Sequence, residues 1–387
     1  MTQSARNVAV LGSTGSIGTS ALEVIAASQG QLCASALAAC TSTEMLLEQA
    51  RRLRPRSIIV CDPDASARQD WTALPRETEL RAGPDALRSI VTAPETDIVL
   101  AAIVGAAALE STWAAVESGK TIALANKETL VMAGPLVMQS AARTGAKIIP
   151  IDSEHSAVFQ CLQSGRREDV RRIVLTASGG PFRNHTSDQL AHVTVEQALA
   201  HPTWDMGPKI TVDSATMMNK ALEIVEARWL FDLMPQQIDV VIHPQSIVHS
   251  LVEFIDGSTI AQLSPPDMKL PIQYALYYPR RQPGISPRLD LARSLQLDFE
   301  PADSERFPAI QLGLDAARAG GTTGAALNAA NEGAVRSFLA GELDFVEIVP
   351  LCRSIVEHHT FDPQPTLPRI WEVDRWARKE VTRWVCT

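Results

Sequence analysis

A chain of 387 residues, 45% hydrophobic and 20% charged, has the composition of a globular protein with room for two or three domains. Its 44 acids against 35 Lys plus Arg give a formal net charge of −9, which excludes a general electrostatic attraction to nucleic acid or a membrane surface. No apolar run approaches the roughly 18 residues of a membrane span, and the six cysteines lack zinc-type spacing. Free thiols in a reducing compartment, the cytoplasm, are expected. The start "MTQSARNVAVLG" enters a strand-like run at once, so no signal peptide is expected there.

From residue 7 to 150, "NVAVLG", "SIIVCD", "DIVLAAIVG", "TIALAN" and "KIIPID" read as strands, and "SALEVIAASQ", "EMLLEQARRL" and "LESTWAAVESG" as amphipathic helices. Strands apolar on both faces and joined by helices predict a parallel α/β sheet. Gly12, Gly15 and Gly18 fall between the first strand and the first helix. Such a turn lets the backbone approach a pyrophosphate, which the helix N-terminus favours. After the second strand no acid precedes Glu44, while Thr41 and Ser42 offer hydroxyl donors, favouring NADP over NAD. Asn126, Lys127 and Glu128 end the "TIALAN" strand, either as part of a ligand site or as an exposed turn.

"IDSE" at 151–154 admits two readings. Extended, it projects Asp152 and Glu154 to one face, where like charges call for a divalent cation. Alternatively, Asp152 caps a helix that contains Glu154 in its first turn.

Beyond 150 the strand candidates are "RRIVLTASGG", "QIDVVIH", "IVHSLVEFI" and "STIAQL", the last two forming a hairpin through Asp256-Gly257. One long helix is expected over "SATMMNKALEIVEARWLF", capped by Asp213 or Ser214. It would place Asn219, Lys220 and Glu223 on one face and Met218, Leu222, Val225 and Trp229 on the other. Ser, Asn and Lys near a helix start suit a phosphate, and Glu223 adds a third carboxylate for a metal. A loop from Ser178-Gly179-Gly180 to His201-Pro202-Thr203-Trp204-Asp205-Met206-Gly207 either closes over a substrate or is a surface loop that Trp204 anchors to the core. His243 and His249 read as structural or lodged at an interface, and Trp371, Trp376 and Trp384 as packing residues. The proline-rich stretch 279–308 reads as a connection, and helical text fills the remainder.

The segments "GSTGSIG", "AAIVGAA", "LANKETLV", "IDSEHSAVFQCL", "SGGPFR", "HPTWDMGPKITVDSATMMNKALEIVEARWLF", "IHPQSIVHS" and "LNAANE" resemble, in order, the 1-deoxy-D-xylulose 5-phosphate reductoisomerase family. The resemblance implies an α/β fold: a Rossmann-like parallel sheet over 1–150, an α+β catalytic, metal-binding and dimerisation domain over 151–278, a linker over 279–308 and a helical bundle over 309–387. It implies metal-dependent isomerisation, then NADPH-dependent reduction, of 1-deoxy-D-xylulose 5-phosphate to 2-C-methyl-D-erythritol 4-phosphate, in the non-mevalonate route to isoprenoid precursors. Asp152, Glu154 and Glu223 would hold Mg²⁺ or Mn²⁺, and both glutamates would also meet the substrate. Ser178, Ser214, Asn219 and Lys220 would grip its phosphate, and Lys127 and Ser153 its hydroxyls. His201, a substrate contact counted with the catalytic residues, would form a mobile lid with Trp204 and Met206. Thr14, Gly15, Ser16 and Ile17, with Asn126, Glu128 and Gly207, would hold NADPH. A cytoplasmic homodimer is implied, with no nucleic-acid or membrane partner. Ala39-Cys40-Thr41-Ser42 departs from the family's Gly-x-Asn pattern at the adenosine end. Two rival readings share the glycine turn: a semialdehyde or homoserine dehydrogenase, the former needing a nucleophilic cysteine for which Cys161 is the nearest candidate, and a non-catalytic NADP sensor, which would need no metal ligands.

Overall fold

The computed structural model describes residues 5–386, which form two compact units. The first unit, residues 1–126, 137–156 and 267–287, is built on seven parallel strands. They are β1 (Arg6–Leu11), β2 (Leu32–Ala39), β3 (Ser57–Val60), β4 (Glu79–Ala82), β5 (Ile98–Ala101), β6 (Thr121–Leu124) and β7 (Lys147–Pro150). Their order is β4-β3-β2-β1-β5-β6-β7, so the winding reverses between β1 and β5. Open α/β sheets bind ligands at that crevice, and the glycine turn leaves β1 there. Val8, Val10, Ile58, Ile59, Val99 and Leu100 are wholly buried, as strands covered on both faces require. β4 carried no sequence signal, because Glu79 and Arg81 interrupt its apolar pattern at the sheet edge.

Helix Lys269–Tyr277 belongs to this unit. It packs on helix Ser16–Ala26 through buried Pro271, Ile272, Ala275 and Leu276. Lys269 pairs with Glu23 at 3.0 Å, and Arg6 donates to the Leu276 carbonyl at 2.9 Å.

The second unit, residues 127–136, 157–266 and 288–387, contains a five-stranded sheet. Its strands are β8 (Val170–Ala177), β9 (Ile238–Ile242), β10 (Val248–Phe254), β11 (Thr259–Leu263) and β12 (Glu300–Pro301), in the order β11-β10-β8-β9-β12. Only β8 and β9 pair in parallel, and the β10–β11 hairpin turns through Asp256-Gly257, with Gly257 at φ 86°. Helices Ala309–Ala319, Thr323–Leu339, Ile348–His358 and Leu367–Val385 share one apolar core with this sheet. This division differs from the four segments expected from sequence. The C-terminal helices bury Leu327, Ala330 and Leu351 in the same core as Ile173, Leu175 and Leu222, and residues 267–287 pack with the first unit. Among the described residues no helix is long and apolar enough to cross a membrane.

The expected single helix over 214–231 is two. Helix Pro208–Ala215 ends, Met217 takes a left-handed conformation (φ 63°), and helix Met218–Leu230 begins. Asp213 and Ser214 therefore close the first helix rather than cap the second. Around the second helix the spacing is set by glycines. A Cβ added to Gly134 would meet the Trp229 ring at 2.3 Å, one on Gly313 the Ala221 backbone at 2.5 Å, and one on Gly324 the Val131 carbonyl oxygen at 1.9 Å. Helix Glu128–Thr144 kinks at Ala133, two residues before Pro135, whose ring and missing N–H explain the break.

Candidate active site

In the first unit, Gly12 (φ 80°) and Gly18 are demanded by the turn itself, since a Cβ at either would strike backbone atoms of Ala102 or Gly12. Gly15 is different. It is extended (φ −78°), and an added Cβ would meet only the Gly12 carbonyl oxygen at 3.5 Å, an ordinary contact. The protein leaves room for a side chain at 15, so the open backbone there is suited to a ligand's close approach. Thr14, Ser16 and Ile17 surround it, at the start of helix Ser16–Ala26. Sequence reading missed the turn's anchor. Buried Ser13 donates to Gln49 Oε1, and Gln49 Nε2 returns a bond to the Ser13 carbonyl, both at 2.8 Å. The only sequence signal is a glutamine on the apolar face of helix Thr43–Leu53. Asn126, at the end of β6, is likewise held by the carbonyls of Ile103 (2.9 Å) and Gly105 (3.1 Å).

Asp152 and Glu154 do not lie on an extended segment. Helix Ser153–Cys161 starts between them, and the Asp152 carbonyl accepts from Ser156 N at 2.7 Å. Helical dihedrals carry Asp152 and Glu154 around the first turn instead of alternating them across a strand. Ser153 donates to Glu154 Oε2, and Asp152 Oδ2 lies 3.6 Å from His155 Nδ1.

In the second unit, the polar face of helix Met218–Leu230 is not solvated: Lys220 is 2% exposed and Glu223 0%. Glu223 Oε1 accepts from Asn219 Nδ2 at 2.5 Å and lies 3.4 Å from Lys127 Nζ, while Oε2 accepts from Lys220. Lys127 also donates to Asn219 Oδ1 at 2.5 Å. Two buried ammonium groups thus face one carboxylate. Ammonium groups held in this way are suited to an anion such as a phosphate. Glu128, one residue on, is turned the other way: its carboxylate meets Lys209 Nζ at 3.0 Å. Burial alone would raise its pKa, but the charges of Lys209 and Lys127 more than offset this and hold it lowered.

Ser178 and His201 meet across the 178–207 loop, Oγ to Nε2, at 3.1 Å. His201 Nδ1 accepts from the backbone N–H groups of Thr203 (3.1 Å) and Trp204 (2.9 Å), so the ring proton sits on Nε2 and is donated to Ser178. Gly180 N also donates to Ser178 Oγ, at 3.2 Å, leaving the serine hydrogen for an anion. Gly180 is packed on the Ser214 carbonyl, where a Cβ would come within 2.8 Å. The loop also carries Trp204, tilted against His249 at 6.4 Å between centroids, and ends at Gly207.

Desolvation lowers the His201 pKa below its ordinary value. The neutral ring, and the two backbone bonds it accepts, are therefore fully present above about pH 6.5 and are lost as pH falls from there through the lower folded pKa. Acidification in that window is expected to change the fluorescence contributed by Trp204, taken as the difference from a Trp204→Phe variant. A flat difference signal from pH 7 to 4.5 would contradict this tautomer.

His243 is a packing residue, buried, bonded to the Asp298 carbonyl at 2.7 Å and stacked on Phe299. His249 is held by Ser264 Oγ at 2.9 Å. Trp376 packs against the core, whereas Trp384 is exposed. All six cysteines are free. Burial pushes the Cys161 thiol up to about 11, which removes the nucleophile that a semialdehyde dehydrogenase would need.

Three family models cover most of the chain. Residues 8–134 match 1-deoxy-D-xylulose 5-phosphate reductoisomerase, 148–231 that enzyme's C-terminal domain, and 263–380 a DXP reductoisomerase C-terminal domain. The chain belongs to the 1-deoxy-D-xylulose 5-phosphate reductoisomerase family. The family's enzyme from Symbiobacterium thermophilum is 51% identical over 377 residues, covering 96% of this chain and 97% of that protein. The one from Rhodopirellula baltica is 47% identical over 425 residues, covering 96% and 93%. The solved structure of the Zymomonas mobilis enzyme in complex with NADPH superposes with a TM-score of 0.90, at 39% identity, over 98% of this chain and 99% of that one. A structure of DOX-P reductoisomerase with NADPH, fosmidomycin and magnesium gives 0.92, at 41% identity, over 98% of each chain.

Proposed function

We propose that this chain converts 1-deoxy-D-xylulose 5-phosphate to 2-C-methyl-D-erythritol 4-phosphate by metal-dependent isomerisation followed by NADPH-dependent reduction, in the non-mevalonate route to isoprenoid precursors. The observation that carries the reading is the buried group Lys127, Asn219, Lys220 and Glu223, a carboxylate and two ammonium groups on one helix-borne site. Family membership supplies the reaction, and the relatives solved with NADPH and magnesium supply the cofactors.

Asp152, Glu154 and Glu223 are the carboxylates assigned to Mg²⁺ or Mn²⁺, and an all-oxygen donor set suits such hard cations. When bound, the metal supplies Lewis-acid polarisation of substrate oxygens during the rearrangement. Lys220, Asn219, Ser178 and Ser214 bind the substrate phosphate, so contacts remote from the reacting carbons orient them. Lys127 and Ser153 donate to substrate hydroxyls. His201, whose Nε2 proton is shared with Ser178 Oγ before substrate binds, turns that proton to the substrate beneath the loop, and Trp204 and Met206 exclude water. Thr14, Gly15, Ser16 and Ile17 would receive the NADPH pyrophosphate, and Asn126, Glu128 and Gly207 would also hold the cofactor. NADPH supplies the hydride that reduces the aldehyde.

The room over Gly15 gives a direct test of the cofactor site. Gly15→Ala is expected to raise the NADPH dissociation constant at least about tenfold, roughly 1.4 kcal/mol, with an unchanged melting temperature. Unaltered NADPH affinity would remove the pyrophosphate from this turn. The reaction itself is tested by NADPH oxidation on adding 1-deoxy-D-xylulose 5-phosphate. Oxidation should stop with EDTA and return with Mg²⁺ or Mn²⁺. Oxidation that persists in EDTA would sink the metal assignment, and no oxidation with substrate and metal present would sink the function.

Six free cysteines suit a cytoplasmic site of action. The assembly is proposed to be a homodimer. β11 stands at a sheet edge with Ile260 and Leu263 exposed, a surface on which a second copy could pair. Light scattering that gives a monomer mass would refute it.

A further inference from the structure

Lys209 enters the site so far only as the partner of Glu128. It lies in the first turn of helix Pro208–Ala215, two residues beyond Gly207, where the lid loop ends. Its ammonium is 3.0 Å from Glu128 Oε1 and forms an ion pair with Asp213 Oδ2 at 2.8 Å. The other Asp213 oxygen accepts from Asn331 Nδ2 at 2.8 Å, deep in helix Thr323–Leu339. Glu128, Asp213 and Asn331 are all buried. One ammonium therefore joins three elements: the start of the helix that follows the Asn126-Lys127 turn, the helix at the foot of the lid, and a helix of the C-terminal bundle.

Stability alone does not account for such a cluster. A buried ion pair is often no more stabilising than apolar residues of the same volume, and removing one partner is strongly destabilising. What the cluster adds is fixed geometry. Burial alone would lower the Lys209 pKa, yet the charges of Asp213 and Glu128 raise it, so the lysine stays an ammonium throughout the working pH range. An ammonium clamped between two carboxylates from different segments fixes their separation in a way that apolar packing does not.

We infer that Lys209 is a positioning residue: it ties the C-terminal root of the lid loop His201–Met206 to Glu128, so that lid closure over a bound phosphate and the placement of the cofactor-side turn share one buried support. The inference rests on the reading of the loop and of Glu128 under the proposed function. It differs from a general structural role because it requires the lid response and the Glu128 effect to be coupled through one residue.

The test uses the full chain and two readouts. The first is the Trp204-dependent fluorescence change on titrating inorganic phosphate, taken as the difference from Trp204→Phe, which needs no turnover. The second is kcat and KM with NADPH and 1-deoxy-D-xylulose 5-phosphate. Lys209→Met is expected to raise the phosphate concentration at half-change about tenfold and to lower kcat/KM roughly 30-fold, and Lys209→Arg, which keeps the charge, should recover most of both. In a Lys209→Met, Glu128→Gln double variant the two losses should not multiply. A folded Lys209→Met with an unaltered phosphate titration, or losses that multiply, overturns the inference. If Lys209→Met does not fold, Asp213→Asn takes its place, since it keeps the side-chain volume and an oxygen for Asn331. A folded Asp213→Asn with the wild-type titration overturns the inference, and a weakened one supports it. A chain inactive on the sugar phosphate whose phosphate response still depends on Lys209 would defeat the proposed reaction and leave the lid root standing.

Discussion

Glu223→Gln is expected to lower turnover by at least about 1,000-fold while NADPH affinity stays within about twofold, a loss of roughly 4 kcal/mol in transition-state stabilisation. The reason lies in what surrounds the carboxylate. Glu223 is wholly buried, and both oxygens are engaged by Asn219, Lys127 and Lys220. Glutamine keeps the volume but removes the charge that attracts a divalent cation, and it takes one carboxylate away from the two ammonium groups that meet it. The second effect has its own signature. Breaking a buried pair by neutralising one partner typically costs about 3–5 kcal/mol, so the variant should also melt earlier. Millimolar inorganic phosphate should restore part of that stability by balancing the ammonium charges. Equilibrium NADPH titration, turnover with added Mg²⁺ and melting with and without phosphate separate the effects. Collapse of NADPH binding at a temperature where the variant is folded would place Glu223 in the cofactor site and not with the metal.

Lys220→Met should act on binding. It removes the most buried donor proposed for the phosphate, and a charge-assisted hydrogen bond of about 1.5–3 kcal/mol corresponds to a roughly 10- to 150-fold rise in KM. Its effect on stability should be opposite in kind to that of Glu223→Gln. With Lys220 gone, Glu223 still has Lys127 within 3.4 Å, so the buried carboxylate keeps a cationic partner. The melting temperature should fall less than for Glu223→Gln, and phosphate should no longer raise it. Steady-state KM and the phosphate dependence of melting report on this. A KM unchanged by Lys220→Met would take the phosphate away from this helix.

The sequence made the glycine turn, the alternation of strands and helices, and the kinds of residue in the site readable, because each follows from local pattern. Short apolar runs identified most strands of the two sheets, and helix-period patterns the helices between them. Other features depend on tertiary contacts and carry little local signal. β4 is an edge strand with charges at alternate positions, which reads as a loop. The left-handed residue that splits the helix over 208–230 is a methionine, where a glycine or asparagine would be the usual signal. Asp152 and Glu154 kept two readings open because "IDSE" fits both a strand end and a helix start, and the helical one holds. The clasp of Ser13 by Gln49 and that of Lys209 by Glu128 and Asp213 join residues 36 and 81 positions apart in the first case and in the Lys209–Glu128 pair. Locally, Gln49 shows only as a polar residue on an apolar helix face and Lys209 only as the i,i+4 partner of Asp213; neither pattern points to the distant residue it joins.

Gly134, Gly313 and Gly324 touch no proposed ligand, yet each lets a helix near Lys127 or Glu223 approach its neighbour to within less than a methyl group's clearance. A scan replacing every residue in turn and scoring only growth would rank these three glycines beside the metal carboxylates. The two classes would part on chemical rescue. Activity lost at a charged site residue can be partly restored by a small ion or amine that refills its place. No added solute can give back the space occupied by a methyl group, so a glycine variant stays dead under every rescue condition.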